Sequence, residues 1–383
     1  MALPFLTLYL TQSLGFSTAT AGGAIGTYGA IALLVGPVAG RFADRWGSLR
    51  MTEGSLLASG LVLMAFPLAK SLPAVIGIIV LFALSNEAGR PAMLTLVGKF
   101  AVHENRKAAF ALNRLAVNLG MSFGVAAGGF LAKIAFPAVF LVDGATTLVA
   151  LAMLLMTSFH KSVKGSEIRT RAEHVVAREN SGVTAPKRGL FDTLVYDNKF
   201  RLFLFGVIPA AQLFFQHQST LPLFLVRSLH FSEATYGILF SLNTLLIITL
   251  EIPLNSVTSH WSHRRALGLG TLLMAVGFGA LAFATSRAAV AATIVVWTFG
   301  EMMLFPALTA FITEVAPAER KGEYMGLFTM TFSFGFMTGP WIGALVLDHF
   351  GSTTLWAACF CVGMLAATIL SSKQLAVPEA AKI

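Results

Sequence analysis

Apolar stretches of about 20 residues recur along the whole of this 383-residue chain, and each is long enough to cross the hydrocarbon core of a bilayer. No other feature constrains the fold as tightly, because backbone inside lipid must satisfy its own hydrogen bonds and so forms helices or closed barrels. Uninterrupted runs of this length select helices. Composition agrees, with 56% hydrophobic and 12% charged residues and a mean hydropathy of +0.76, against roughly 25% charged residues in soluble domains. The sequence predicts an all-α polytopic membrane protein. The excess of Lys and Arg (27) over Asp and Glu (18) reads as topology-setting loop charge. No basic aromatic patch accompanies it, so no nucleic-acid partner is expected.

Windows between charged or Pro/Gly-rich breaks give eleven complete spans, near residues 19–40, 51–70, 72–97, 107–132, 135–158, 200–226, 232–257, 266–285, 288–312, 322–347 and 351–372. Met1 to Leu14 is apolar but too short to cross, and it lacks the charged start and cleavage site of a signal peptide. It reads as the second half of a twelfth span. If the loop from Arg41 to Arg50 is cytoplasmic and sides alternate from there, 21 of the 27 basic residues fall in cytoplasmic segments. Lys70, Lys133, Arg227 and Arg287 lie opposite, and Arg90 and Arg114 lie within spans. This asymmetry predicts a multi-pass membrane protein with a cytoplasmic C-terminus. The expected organisation is an N-terminal bundle at 1–158 with its first span incomplete, a charged cytoplasmic linker at 159–199, a second bundle at 200–372 and a tail at 373–383.

A shift of about 215 residues superimposes the two halves: Phe16-Ser17 on Phe231-Ser232, Ala19-Thr20 on Ala234-Thr235, Gly22 on Gly237, Trp46 on Trp261, and Arg50 on Arg265. Gly120, Gly124 and Gly128 fall on Gly335, Gly339 and Gly343. A one-residue slip would also pair Glu87 with Glu301 and Arg106-Lys107 with Arg320-Lys321. Two six-helix bundles related by an internal repeat are a transporter plan, with the substrate site between the halves near the bilayer midplane. The repeat also places the start of the second half, near Lys199, about 15 residues upstream of Met1. A missing half span is therefore expected, the alternative being a re-entrant or surface-lying segment.

Two loop and hinge motifs carry a family resemblance. Gly40-Arg41-Phe42-Ala43-Asp44-Arg45-Trp46-Gly47-Ser48-Leu49-Arg50 resembles the GxxxDRxGRR loop of the major facilitator superfamily. Gly40 and Gly47 permit a tight reversal, and Asp44 can face a helix N-terminus or an arginine while Arg45 and Arg50 hold the loop inside. Ser48 and Leu49 replace the usual basic pair, and the second copy, Ser259 to Arg265, lacks the acid. The resemblance implies that Asp44 stabilises one closed state. Gly120, Gly124, Gly128 and Gly129 resemble the GxxxGPxxGG antiporter motif with Val125 for proline, while the second half keeps Gly339-Pro340. Small residues at this spacing serve either as plain helix packing or as a hinge. Thr298 to Pro306 and His260-Trp261-Ser262-His263 resemble segments of the drug:proton antiporter branch, whose carboxylates also sit where this chain has Asn113 and Gln218.

Charged groups inside spans cost about 2.5–3.5 kcal/mol when unpaired at mid-bilayer, so they are functional or paired. Glu301 stands about 11 residues from its span's cytoplasmic end with no basic residue on adjacent turns, and is the expected proton-coupling site. A permanently protonated, hydrogen-bonded carboxyl is the structural alternative. Glu87 and Arg90 are one turn apart and Arg114 reaches a similar depth, forming either a structural charge cluster or a gate and anion site. Pro91 frees the carbonyl of Glu87 and permits a kink. Gln212, Gln216 and Ser219 share one helical face expected to line the cavity, with His217 and Gln218 turned from it. Asp143 and Glu251 lie nearer the membrane faces. The 32 Phe and 14 Met suit either an adaptable apolar pocket or lipid contact.

Cys359 and Cys361 would splay about 200° apart on a helix, which excludes a disulfide. No metal-ligand spacing, HExxH, nucleophile elbow or phosphate loop occurs, so no enzyme, metal or cofactor is expected. The resemblance implies proton-coupled efflux of lipophilic or amphipathic compounds by a monomer in the bacterial inner membrane. The alternative is a carrier of an anionic or zwitterionic metabolite or lipid.

Overall fold

The computed structural model describes residues 2–100, 106–156, 197–317 and 320–376, excepting the side chains of 36–38, 40–45, 98–100, 106–111, 114 and 321–322. Among the described residues all regular structure is helical. Helix α1 is a short helical run made of a 3-10 turn Leu3–Phe5, an α turn Leu6–Leu8 and a π turn Tyr9–Ser13. Then come α2 (Thr18–Trp46), α3 (Ser48–Ala65), α4 (Leu72–Phe100), α5 (Arg106–Ile134) and α6 (Phe136–Met156). In the second half α7 runs through Asn198–Phe214, Gln216–Leu223 and a π turn Phe224–Ser228. It is followed by α8 (Glu233–Thr258), α9 (His263–Ala280) and α10 (Arg287–Val315). The stretch Lys321–Leu370 is broken at Gly351, whose φ of 82° divides it into α11 (321–350) and α12 (352–370). Nine of the described helices are long and apolar enough to cross a membrane, with α11 and α12 taken as one.

The repeat is kept element by element. Thr18 and Glu233, Ser48 and His263, Leu72 and Arg287, and Arg106 and Lys321 open equivalent helices, each pair 215 positions apart. The turn after the first helix of each half is duplicated in detail. Gly15 and His230 both take positive φ (70° and 55°), and Ser17 and Ser232 accept the N–H of Thr20 and Thr235 as helix caps. Because the helix boundaries hold this register, the one-residue slip is corrected: Glu301 is equivalent to Asn86, and Glu87 to Met302. One residue is 100° of helix rotation, so similar side chains one apart do not share a face.

Helix ends carrying the loop between α2 and α3 form the basic end of the molecule. Gly47, with φ of 94°, makes the reversal there at a conformation that side chains disfavour. At that end Asp197 caps α7 by accepting from the N–H of Phe200 at 2.8 Å, and its second oxygen accepts from the Tyr324 hydroxyl at 2.7 Å. Asp197→Ala removes both bonds, and a loss of about 1–3 kcal/mol is expected, read as a lower unfolding temperature in detergent. An unchanged unfolding temperature would show that this link holds nothing. Cys359 is buried and Cys361 exposed, both free.

The halves meet along two seams at the end opposite the basic one. Along the first, α2 packs on α11 with its glycines against backbone: a Cβ at Gly26 would stand 2.7 Å from the Met337 carbonyl oxygen, and one at Gly29 2.6 Å from the Met337 nitrogen. Along the second, α5 packs on α8, where Cβ atoms at Gly129 and Gly237 would each come within 2.7 Å of a carbonyl oxygen, of Glu233 and Val125 respectively. Hydrogen bonds tie the same end together. Arg227 donates to Thr18 Oγ1 (3.0 Å), Ser241 to the Ser122 carbonyl (2.8 Å) and Thr7 to the Ser219 carbonyl (3.2 Å). Without a hydrophobic drive between helices in lipid, such close backbone approach and polar bonding are what hold the bundles in contact.

Candidate functional site

Glu301 lies midway along α10. Its Oε2 accepts a 2.9 Å hydrogen bond from Nδ2 of Asn243 on α8, and the same nitrogen donates to Thr298 Oγ1 at 2.9 Å. Both amide hydrogens are thereby committed. Asn243 is buried. The equivalent positions of the first half hold Tyr28 on α2 and Asn86 on α4, and there Asn86 Nδ2 donates to the Tyr28 hydroxyl at 2.7 Å. The two bundles thus place a polar pair at corresponding depths, and the second carries the carboxyl within its pair.

Glu87 enters the first-half network from one residue further along. Tyr28 donates to its Oε1 at 2.7 Å, and Arg90 approaches its Oε2 at 3.2 Å. Glu87 is buried, yet the Arg90 side chain is 71% exposed, so its guanidinium is presented to whatever occupies the adjoining space. Asn113 is half-buried on α5. Pro91 leaves α4 continuous from Leu72 to Phe100. Gly40 lies within α2, while the side chains of Arg114, Asp44 and Arg45 and most of the linker at 159–199 lie outside what is described.

The glutamine stripe of α7 faces α11 in this conformer. Gln212 donates to Thr338 Oγ1 at 2.8 Å. Gln216 Nε2 donates to the carbonyls of Gln212 (3.0 Å) and Gly339 (2.8 Å), while its Oε1 accepts from Thr220 at 2.8 Å. Gly335, Gly339 and Gly343 make room for this contact, since Cβ atoms there would strike Ala211, Gln212 and Gln216. The Gly339-Pro340 segment is therefore clasped on two sides, by α7 along its glycines and by Gly22 of α2 at the Pro340 carbonyl. In the first half, Gly120 faces open space; Gly124 is half-buried and Gly128 buried. His217 is buried against Phe214, Phe240 and Trp297, with Nδ1 on the Phe214 carbonyl at 2.6 Å. The Gln218 Oε1 and Ser219 Oγ atoms are buried without a hydrogen-bond partner among the described residues. Asp143 accepts from the Ala2 backbone N–H at 2.7 Å, and Glu251 is buried on α8.

The sequence left aromatic residues unassigned, and the fold gathers them. Phe305, four residues beyond Glu301 on the same face of α10, meets Phe214 edge-on at 4.9 Å and Phe332 at 5.7 Å. Phe332 contacts Phe215 at 5.0 Å, Phe215 stacks on Phe336 at 4.3 Å, and Phe336 reaches Tyr28 of the other half at 5.6 Å. A wall of rings leads from the turn beside the carboxyl to the boundary between bundles. Its signal in the sequence is the four-residue spacing of Phe328, Phe332 and Phe336, together with Glu301 and Phe305.

Two helix bundles repeated in one chain, in contact at one end and each carrying a polar network at mid-depth, have the plan of a membrane transporter. The chain belongs to the Major Facilitator Superfamily, which it matches over residues 1–226 and again over 202–380. Among its relatives, the uncharacterized MFS-type transporter YqjV of Bacillus subtilis is 24% identical, covering 92% of this chain and 83% of that protein. The multidrug resistance protein MdtH of Aeromonas hydrophila is 26% identical over 93% of this chain and 89% of its own length. A Na(+), Li(+), K(+)/H(+) antiporter of Planococcus maritimus is 22% identical, with 89% and 84% covered. Of solved structures, a POT family transporter in complex with 5-aminolevulinic acid aligns with a TM-score of 0.77 at 16% identity, covering 96% of this chain and 91% of the other. The nucleoside transporter NupG aligns with a TM-score of 0.74 at 14% identity, with 96% and 93% covered. At these identities the structural likeness speaks for the fold.

Proposed function

We propose that this protein exports lipophilic or amphipathic compounds in exchange for protons, by alternating access, with Glu301 as the principal proton site and Glu87 as a second carboxyl on the path. The observation that carries the reading is the placement of the Glu301 carboxyl, tethered by Asn243, on the α10 face that continues into the Phe305–Phe214–Phe332 wall. A carboxyl beside stacked rings offers a lipophilic cation both charge and π faces, and it can hold a proton in the cation's place. The likeness to the multidrug resistance protein MdtH and to a cation/proton antiporter favours the same reading. The basic end is taken as cytoplasmic, in a bacterial inner membrane with the C-terminus inside. On that assignment the seams close the external side, and the conformer is inward-facing.

A second reading, transport of an anionic or zwitterionic metabolite or lipid, draws on the exposed guanidinium of Arg90. The two are separated by uptake of a lipophilic cationic dye into inside-out vesicles under an imposed pH gradient. Uptake that collapses when the gradient is dissipated is the expected result. Absence of dye movement from folded protein, with an anion-dependent current in its place, would move the assignment to Arg90.

A further inference from the structure

A crevice of about 610 Å³ opens on the first bundle at the basic end, lined by Trp46 at the end of α2, by Arg50, Met51, Gly54, Ser55 and Ala58 of α3, and by Ser85 and Ala88 of α4. It begins at the level where helices enter the membrane, and from Arg50 to Ala58 it extends about 12 Å along α3 toward the midplane. Its floor is fixed by close packing of α3 on α4. Ser55 donates to the Ser85 carbonyl at 2.7 Å, and a Cβ at Gly89 would strike Ser55. A Cβ at Gly54, by contrast, would meet nothing within 4 Å. Arg50 is exposed at the mouth and makes no ion pair among the described residues.

The second half shows what this surface looks like when the chain fills it itself. At the positions 215 residues on, Leu269, Leu273 and Met303 replace Gly54, Ala58 and Ala88, and Arg265 lies over the Trp261 ring at 4.1 Å. In the first half smaller residues stand at the same places, and Arg50 makes no ion pair among the described residues. A ligand that fits has a negative head at the interface and an apolar chain running inward, beside an interfacial tryptophan.

We propose that this crevice binds one phospholipid with an anionic headgroup, the phosphate at Arg50 and an acyl chain along Gly54, Ala58, Ser85 and Ala88. The site is separate from the path through Glu301, and the proposal does not depend on what is transported.

The test is native mass spectrometry of the whole chain in detergent, titrated with phosphatidylglycerol or phosphatidylcholine. The wild type is expected to retain one phosphatidylglycerol about fivefold more tightly than phosphatidylcholine, the effect of one basic residue near a membrane surface. Arg50→Gln should erase that preference while a lipid is still retained. Gly54→Leu with Ala58→Leu, the residues of the second half, should abolish retention of both lipids. Ala88→Met fills the same space from α4 and serves if the double variant does not fold. Equal affinity for the two lipids in the wild type, or unchanged retention in the filled variants, would overturn the proposal. So would filled variants that keep phosphatidylglycerol but lose a lipophilic dye, which would make the crevice an entry for substrate.

Discussion

Vesicles carrying Glu301→Gln are expected to take up lipophilic dye under a pH gradient no faster than empty vesicles, a fall of more than tenfold from the wild type. The amide keeps the size of the side chain and its contact with Asn243 but neither takes up nor releases a proton in the working pH range, so the gradient loses its grip on the cycle. Energetically, a lost factor of ten needs only about 1.4 kcal/mol of coupling, less than the cost of one unpaired charge at this depth. The Asp197–Tyr324 link and the seams are not touched by the substitution, so an unchanged unfolding temperature in detergent is expected. Asn243→Leu separates positioning from proton carriage. It removes the donor to Glu301 Oε2 and to Thr298 Oγ1, and displacement of the pH profile of transport is expected. A uniform loss at every pH would assign Asn243 a purely structural part. Gradient-driven uptake that survives Glu301→Gln would remove Glu301 from the mechanism and leave Glu87 as the carboxyl to examine.

Gly29→Leu should have an effect of similar size by a different route. A Cβ at Gly29 would stand 2.6 Å from the Met337 nitrogen, 2.7 Å from its Cα and 2.9 Å from the Phe336 carbonyl carbon, all backbone atoms that cannot rotate aside. Overpacking of this kind costs about 1–3 kcal/mol, which shifts a two-state equilibrium about 5- to 150-fold. Since the clash exists only while α2 and α11 are closed at this end, the population should move toward the opposite opening. The measurement is labelling of Thr18→Cys by a membrane-impermeant thiol reagent, in a chain with Cys359→Ala and Cys361→Ala. Labelling should rise in Gly29→Leu and stay unchanged in Gly77→Leu, whose added side chain meets open space. Equal labelling in all three would show that the α2–α11 seam is not the closure.

Much of the architecture was open to reading because lipid imposes it. The spans follow from apolar run length, as in α3, where hydropathy marks residues 51–70 and the helix with its 3-10 turn covers Ser48 to Leu68. The repeat was visible because the turn at Gly15 to Thr20 reappears at His230 to Thr235, where the same cap and the same positive φ require similar residues. The pairing of Glu87 with Glu301 failed for a physical reason. Sequence matching rewards identical side chains, whereas helix faces are set by register, and one residue carries the side chain 100° round.

By itself, then, the sequence determined what the solvent enforces: helices of membrane length, their duplication, and the presence of carboxyls and arginines at depths where each must be paired or used. Tertiary structure decided which groups meet. Gln216 shares a helical face with Gln212 and Ser219, but only the approach of α11, permitted by Gly339 and Gly343, makes that face a clasp between helices. Phenylalanines dispersed over α7, α10 and α11 become one wall beside Glu301 because those helices converge. Asn243 and Glu301 are 58 positions apart and bond only after α8 and α10 pack. Periodicity along a chain fixes one helix at a time, whereas the partner of each polar group depends on close packing between helices, and so on residues far away in sequence.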